Sequence, residues 1–435
     1  MPVNLQTNPL HGALFGDPDL ATVLSDAAHV AAMVRVEAAL ARVQGRLGII
    51  PDGDGLSDAL GAIEIAPKDL ALGTASDGVP VPALVGALRA ALPDALGQGL
   101  HWGATSQDIV DTAHVLQYRA ALGIMGPRLA ALIDRLEAQS IAHADTPMAG
   151  RTRSQVAAPT TFGLRVATWA QPLIEAETGL AALRPRLLKV QFGGAVGANS
   201  AVAPHGPAIS AGMAEELGLA DAPPWHTGRS GPLALAAWLT SLVAGLGRMA
   251  GDLILMGRTE IGEARAGKSG ASSTMPQKAN PVSAEAVVTL TRLCTTLTAG
   301  TPAAASPVEE RDGVAWALEW ALLPQALLAA GGALRHACDL ADTLAPDPAA
   351  MAARLAATEG ALAETASFAL AAHMPRAEAK ALVREAIAAP EPLAEALARL
   401  GPDGLDWPAL LDPKRACAPA AQTARSIFAT RRGPT

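Results

Sequence analysis

Residues 230–247 run without a single charge, and a regular apolar spacing passes through them and beyond. Leu235, Leu239, Leu242, Leu246, Met249, Leu253 and Met256 are separated alternately by four and three residues. That alternation is an a/d seam, which calls for a long helix lying almost parallel to partner helices. The uncharged run reaches the lower length limit for a membrane span. Arg248 and Asp252 continue the same periodic segment, so a helix buried in a bundle is expected, with no membrane partner. Gly245, Gly247 and Gly251 each lower helix propensity, and the close approach of another helix would compensate. A helix so apolar around its circumference needs cover on several sides.

The rest of the chain repeats the helical theme. Half of its residues are hydrophobic but only 3% are aromatic, so the apolar content is mostly Ala, Leu and Val. Packed sheets draw more on aromatic and β-branched residues. An all-α fold follows. Helices are expected over residues 33–45, 108–122 and 126–143, and in the tail over 348–373 and 376–389. Loops are expected at Asp145-Thr-Pro and Pro223-Pro224. At 435 residues the chain is too long for one small core. The expected divisions are an N-terminal helical domain (1–105), a central long-helix bundle (106–345) and a small C-terminal helical domain (346–435). A net charge of -8 without any long Lys/Arg cluster argues against nucleic acid as a partner. Cys294, Cys338 and Cys417 are sparse and widely spaced, which fits a reducing cytoplasm rather than a disulfide framework or a zinc site. No pair of histidines has ligand spacing, so no metal is expected. The first seventeen residues lack the basic-then-apolar order of a signal peptide.

Three polar segments interrupt the helical pattern. Residues 103–108 read Gly-Ala-Thr-Ser-Gln-Asp. Thr105 or Ser106 can cap the following helix, and hydroxyls beside free N–H groups at a helix start also suit a carboxylate. Residues 150–155 read Gly-Arg-Thr-Arg-Ser-Gln, where two arginines flank hydroxyls, either as a solvated loop or as a carboxylate clamp. Residues 267–281 read Gly-Lys-Ser-Gly-Ala-Ser-Ser-Thr-Met-Pro-Gln-Lys-Ala-Asn-Pro. Their first half suits a flexible linker, but that does not explain the Met-Pro-x-Lys-x-Asn-Pro half.

This third segment resembles the signature loop of the fumarase/aspartase superfamily, and the first two resemble its other shared regions in the same chain order. Leu100-His-Trp-Gly-Ala-Thr-Ser-Gln-Asp108, Gln191-Phe-Gly-Gly194 and Leu410-Leu-Asp-Pro413 are most similar to the carboxymuconate cycloisomerases of that superfamily. The resemblance implies an all-α homotetramer around a long helix bundle, with active sites shared between subunits. It implies no metal and no organic cofactor, and a small tricarboxylate as substrate, closed to a lactone in the β-ketoadipate pathway of aromatic catabolism. By the same resemblance Ser272 transfers the proton and Lys278 supplies nearby positive charge. Thr105, Ser106, Gln107, Arg151, Thr152, Gln155, His226, Thr227, Arg229, Ser273, Met275 and Asn280 are the implied substrate contacts. Arg229 equally suits an ion pair, and His226 a structural role.

Departures from the family pattern bear on the reaction. Many relatives carry a histidine at the position of Val156, where it handles the leaving group's proton. A valine cannot, which favours a reaction whose nucleophile is an already ionised carboxylate. Ala271 and Gln277 replace the usual Gly and His, and Ser230 replaces an Asp after Arg229. These changes leave room for a sulfonated or otherwise substituted muconate. The alternatives are an amine-eliminating lyase of the adenylosuccinate type and, beyond catalysis, a crystallin-like structural protein.

Overall fold

A computed structural model of the chain describes residues 6–267, 270, 271, 275 and 278–432. The protein forms two compact units. One comprises Met1–Arg128, Glu177–Val243 and Thr289–Arg335; the other comprises Leu129–Ala176, Ala244–Val288 and His336–Thr435. Both are built mainly from helices.

In the first unit, helix α1 (Asp26–Arg46) starts where the Ser25 side chain accepts from the Ala28 N–H at 3.1 Å. Its Val30, Met33, Val36, Leu40 and Val43 point into a core shared with Leu56, Leu84, Ile109, Phe192 and Met213. The expected closure at Gly45 is one residue early. A Cβ on Gly45 would stand 2.6 Å from Gly53 Cα, so this glycine serves close approach rather than termination. Helix α2 (Pro67–Asp77) begins with proline at its first position and ends at Gly78 in the left-handed region, as helix chemistry favours.

Helix α3 (Ser106–Ala142) is a correction to the sequence reading. The two helices expected over 108–122 and 126–143 are one continuous 37-residue helix with Pro127 inside it. Gly126 allows Leu180 of helix α4 (Phe162–Leu187) to approach within 3.3 Å of where a Cβ would sit. Packing along the whole length sustains a helix that local breakers would end.

Helix α5 (Ser230–Met256) carries the a/d seam. All seven seam residues are at most 5% exposed. A Cβ on Gly245 would lie 3.0 Å from Leu173 and 3.1 Å from Pro172, so α4 is the close neighbour expected at that glycine, whereas a Cβ on Gly251 would meet nothing within 4 Å. The opposite face keeps Leu233 and Leu255 exposed, with Ala237, Ser241 and Ala244 between them. Helices α6 (Val282–Thr298) and α7 (Gly313–Asp342) complete the long set. α5 and α7 are long and apolar enough to cross a membrane, but more than half of the most apolar stretch of each is buried within the protein. They are core helices.

The second unit also holds short strands that the sequence reading did not foresee. β1 (Pro147–Thr152) pairs antiparallel with β2 (Gln155–Thr161). The connecting residues Arg153 and Ser154 both adopt positive φ, the backbone of a tight two-residue hairpin. β3 (Ala264–Arg265) pairs with β6 (Ala345–Pro346), and β4 (Gly270–Ala271) with β5 (Ala279–Asn280). The tail folds as short helices around Leu370, Val383, Leu397 and Trp407. The helix expected over 348–373 is divided into Pro348–Ala356, a 3-10 turn at Glu359–Leu362, and Ala363–Ala371.

Candidate active site

The first polar segment becomes the N-terminal turn of α3, and its frame is set by one buried carboxylate. Asp108 is fully buried. Its two oxygens accept from the backbone N–H groups of Gly193 (2.8 Å), Gly194 (3.0 Å) and Thr105 (3.0 Å), while His226 Nε2 lies 2.8 Å away. Charge-assisted bonds of this kind are the strong ones. Together they tie the turn 103–106 to two remote segments. The fit excludes larger residues, since a Cβ on Gly103 would meet Val202 at 2.3 Å and one on Gly193 would meet His226 at 2.8 Å. A turn further on, Thr112 exchanges hydrogen bonds with the backbone of Gln191.

Gln107 and Arg229 join the same cluster. Gln107 donates to the carbonyl of His226 at 3.0 Å and to Asp111 at 3.2 Å, and accepts from Arg311 Nε at 3.1 Å. Arg229 is 5% exposed. Its guanidinium donates to both oxygens of Asp111 (2.6 and 3.2 Å) and both of Glu319 (2.5 and 3.0 Å), and it lies over the Trp225 ring at 4.8 Å. Trp316 Nε1 adds a donor to Asp111 at 2.9 Å. Burial alone would favour the neutral guanidine, but the two carboxylates outweigh it and hold the charge firmly on Arg229. The pKa of Glu319 is raised as well, which for a carboxyl favours the neutral form. Its burial raises its pKa, Arg229 opposes this, and Asp111 adds to the rise. Thus His226 and Arg229 hold the frame together from inside, whereas Thr105, Ser106 and Thr227 keep surface access. Hydroxyls and first-turn N–H groups on a rigid frame form an arrangement that suits an anionic oxygen.

His101, just before this turn, sits at φ 59° with Nδ1 2.6 Å from Glu37, a residue buried in α1. Burial works against the imidazolium, but the hydrogen bond and charge of Glu37 outweigh it, with Asp108 assisting and Arg89 opposing. The folded pKa is therefore above the ordinary 6.5. The resulting stability is complete below pH 6.5 and is lost as pH rises through the folded value. Urea unfolding of wild type and Glu37→Gln between pH 6 and 9 should show the wild-type advantage shrinking with rising pH. Parallel profiles would refute this linkage.

The second segment lies on the β1–β2 hairpin. Arg151 is clamped by the fully buried Glu263, with both N···O distances 2.8 Å. Thr152 and Gln155 face solvent at the turn. Val156 pairs with Arg151 in the ladder and packs on a small apolar cluster of Ala149, Leu355 and Ala361. In the third segment Ser272 and Ser273 lie outside the described residues. Met275 is 43% exposed, its carbonyl accepts from the Lys278 N–H at 3.0 Å, and Asn280 pairs with Gly270 in the β4–β5 ladder. The Lys278 side chain is exposed and Asn280 is half-buried.

Asp108, Asp111, Arg311 and Glu319 are the residues that spacing did not single out. The signal for the first two was there: Asp108 and Asp111, three apart at the start of an apolar helix, share one buried face. Arg311 and Glu319 lie some two hundred residues further along the chain and gave no local sign. The buried thiols are poor nucleophile candidates: burial pushes Cys294 up to about 12 and, with Asp412, Cys417 up to about 11. Among the described residues no group of three or more His, Cys, Asp or Glu is placed to hold a metal.

Known proteins share this architecture. The Lyase family matches residues 68–296. A 3-carboxy-cis,cis-muconate cycloisomerase of Pseudomonas aeruginosa is 38% identical over 398 residues, covering 88% of this chain and 85% of that protein. A nitrosuccinate lyase of Streptomyces davaonensis is 37% identical over 394 residues, covering 85% and 82%. Among solved structures, the 3-carboxy-cis,cis-muconate lactonizing enzyme of Pseudomonas putida superimposes with a TM-score of 0.91 at 32% identity, over 98% of this chain and 99% of that one.

Proposed function

Because the chain belongs to the fumarate lyase superfamily and is a cycloisomerase within it, we propose that it closes 3-carboxy-cis,cis-muconate to 4-carboxymuconolactone, a step of the β-ketoadipate pathway in the cytoplasm. One substrate carboxylate, already ionised at pH 7, adds to a carbon of its own diene. Charge then builds on the neighbouring carbon and spreads into the carboxylate beyond it. Ser272 delivers one proton to that carbon and is reprotonated from solvent. Lys278 stabilises the alkoxide that Ser272 becomes, which a serine in plain water could not sustain. Thr105, Ser106, Gln107, Thr152, Gln155, Thr227, Ser273, Met275 and Asn280 line the substrate. Arg151 and Arg229, already paired with buried carboxylates, act from behind by holding these segments in place. No cofactor takes part.

The carrying observation is Val156, half-buried against Ala149, Leu355 and Ala361. This apolar corner offers no proton to a departing amine. We therefore expect turnover of 3-carboxy-cis,cis-muconate, followed by loss of diene absorbance, and none of adenylosuccinate or argininosuccinate. Val156→His should change lactonisation less than about threefold, since no proton passes through this position. A large gain would sink the argument.

The assembly proposed is a homotetramer in which each site draws on three subunits. Its support is the outward strip of α5, where the exposed Leu233 and Leu255 bracket Ala237, Ser241 and Ala244 together with the exposed Arg248. Small side chains let another helix approach closely, and exposed leucines gain from the cover.

A further inference from the structure

The unit containing α1 holds a cavity of about 600 Å³ that shares no residue with the candidate substrate groups. It opens to the surface and is lined by residues of α1, α2, α3 and α7, among them Met33, Leu70 and Val110. Volumes of this order accept a small organic molecule.

One of the chain's seven tryptophans lines this place, and the chain's single tyrosine stacks behind it. Tyr118 stacks on His114 (5.8 Å between centroids), His114 stacks on His29 (4.3 Å), and Trp320 tilts against His114 at 6.5 Å. His29, His114 and Trp320 line the cavity. His114 is only 8% exposed, yet among the described residues its Nδ1 has no hydrogen-bond partner, and neither has Trp320 Nε1. A buried polar group without a partner costs on the order of 1–3 kcal/mol. Both nitrogens belong to side chains that line the cavity but lie covered behind its wall, and a small rotation of each ring would present them to an occupant.

Charge selects the kind of occupant. Burial lowers the pKa of both His29 and His114, so both imidazoles are neutral near pH 7. Among the described residues Asp26 is the one charged residue on the wall, and it repels anions. The tricarboxylate substrate is thus the wrong chemistry for this cavity. We propose that the cavity is a second binding site, for an uncharged single-ring compound carrying a hydroxyl, the phenol class. Its ring replaces water against the apolar wall, and its hydroxyl accepts from Trp320 Nε1 and bonds to His114 Nδ1.

Isothermal titration of the full-length protein with phenol, and separately with benzoate, tests this at pH 7.5. Saturable binding of one phenol per chain is expected, with benzoate at least tenfold weaker. Trp320→Phe keeps a ring but removes the donor, and should weaken phenol about tenfold, which is the loss of one buried hydrogen bond. Ala71→Trp, at an exposed position of α2 on the cavity wall, should fold normally and abolish binding by filling the space. Absence of saturable phenol binding would overturn the proposal and leave the cavity to water. So would binding unchanged in Trp320→Phe or Ala71→Trp, or benzoate bound as tightly as phenol.

Discussion

Ser272→Ala is expected to lower turnover of the muconate by roughly two to four orders of magnitude, the usual contribution of a positioned proton donor, while KM stays within a few-fold of wild type. The hydroxyl acts on a carbon and only in the transition state, so its removal should appear in kcat and not in binding. The variant should unfold at the same urea concentration as wild type, which separates chemistry from folding. Unchanged turnover would remove Ser272 from the mechanism. The same variant tests the shared site. Mixed and reassembled with chains carrying Thr105→Val and Ser106→Ala, which should be inactive alone, it should recover part of the lost activity. In a tetramer of the proposed kind, some sites then receive all of their segments intact. Absence of recovery, with both variants shown to mix, would argue that each chain builds its site alone.

Arg229→Met is expected to cost roughly 3–5 kcal/mol of stability, the usual range for removing one partner of a buried ion pair. The side chain it removes faces Asp111 and Glu319 at once, so the variant leaves two buried carboxylates with no cation between them. Arg229→Lys keeps the charge but not the planar fork, and should fall between the two. Adding Glu319→Gln to Arg229→Met should return part of the loss, because one uncompensated charge disappears. Chemical denaturation at pH 7 measures all three. A loss below about 1 kcal/mol for Arg229→Met would mean that the cluster is not under the electrostatic tension described. Because Asp111 also receives Gln107, KM should rise in any Arg229 variant that remains folded.

The sequence was most legible where periodicity is local. The seam from Leu235 to Met256 announced a long buried helix, and the helix is there with every seam residue covered. Reading failed where partners are distant or where breakers mislead. Gly123, Gly126 and Pro127 look like a helix boundary, yet tertiary packing carries α3 through them. The β1–β2 hairpin was invisible because Gly, Pro and Arg interrupt its alternation, while its turn depends on two non-glycine residues at positive φ. Arg229 carried two meanings in the sequence, and choosing between them needs Asp111 and Glu319, which stand 118 and 90 residues away. The signature loop shows the reverse case: its chemistry is plain in the sequence, while Ser272 and Ser273 lie outside the described residues.

The seven-residue rhythm of α5 has a consequence for how this chain can vary. Each residue added to a helix turns everything beyond it by about 100°. One insertion between Leu239 and Leu242 would move Leu246 and Leu253 from covered places to the half-exposed ones of Gly247 and Ile254, and drive Arg248 and Asp252 into the buried ones of Met249 and Leu253. Substitutions of similar size can accumulate along this stretch, but an insertion or deletion there would scramble every contact that follows it.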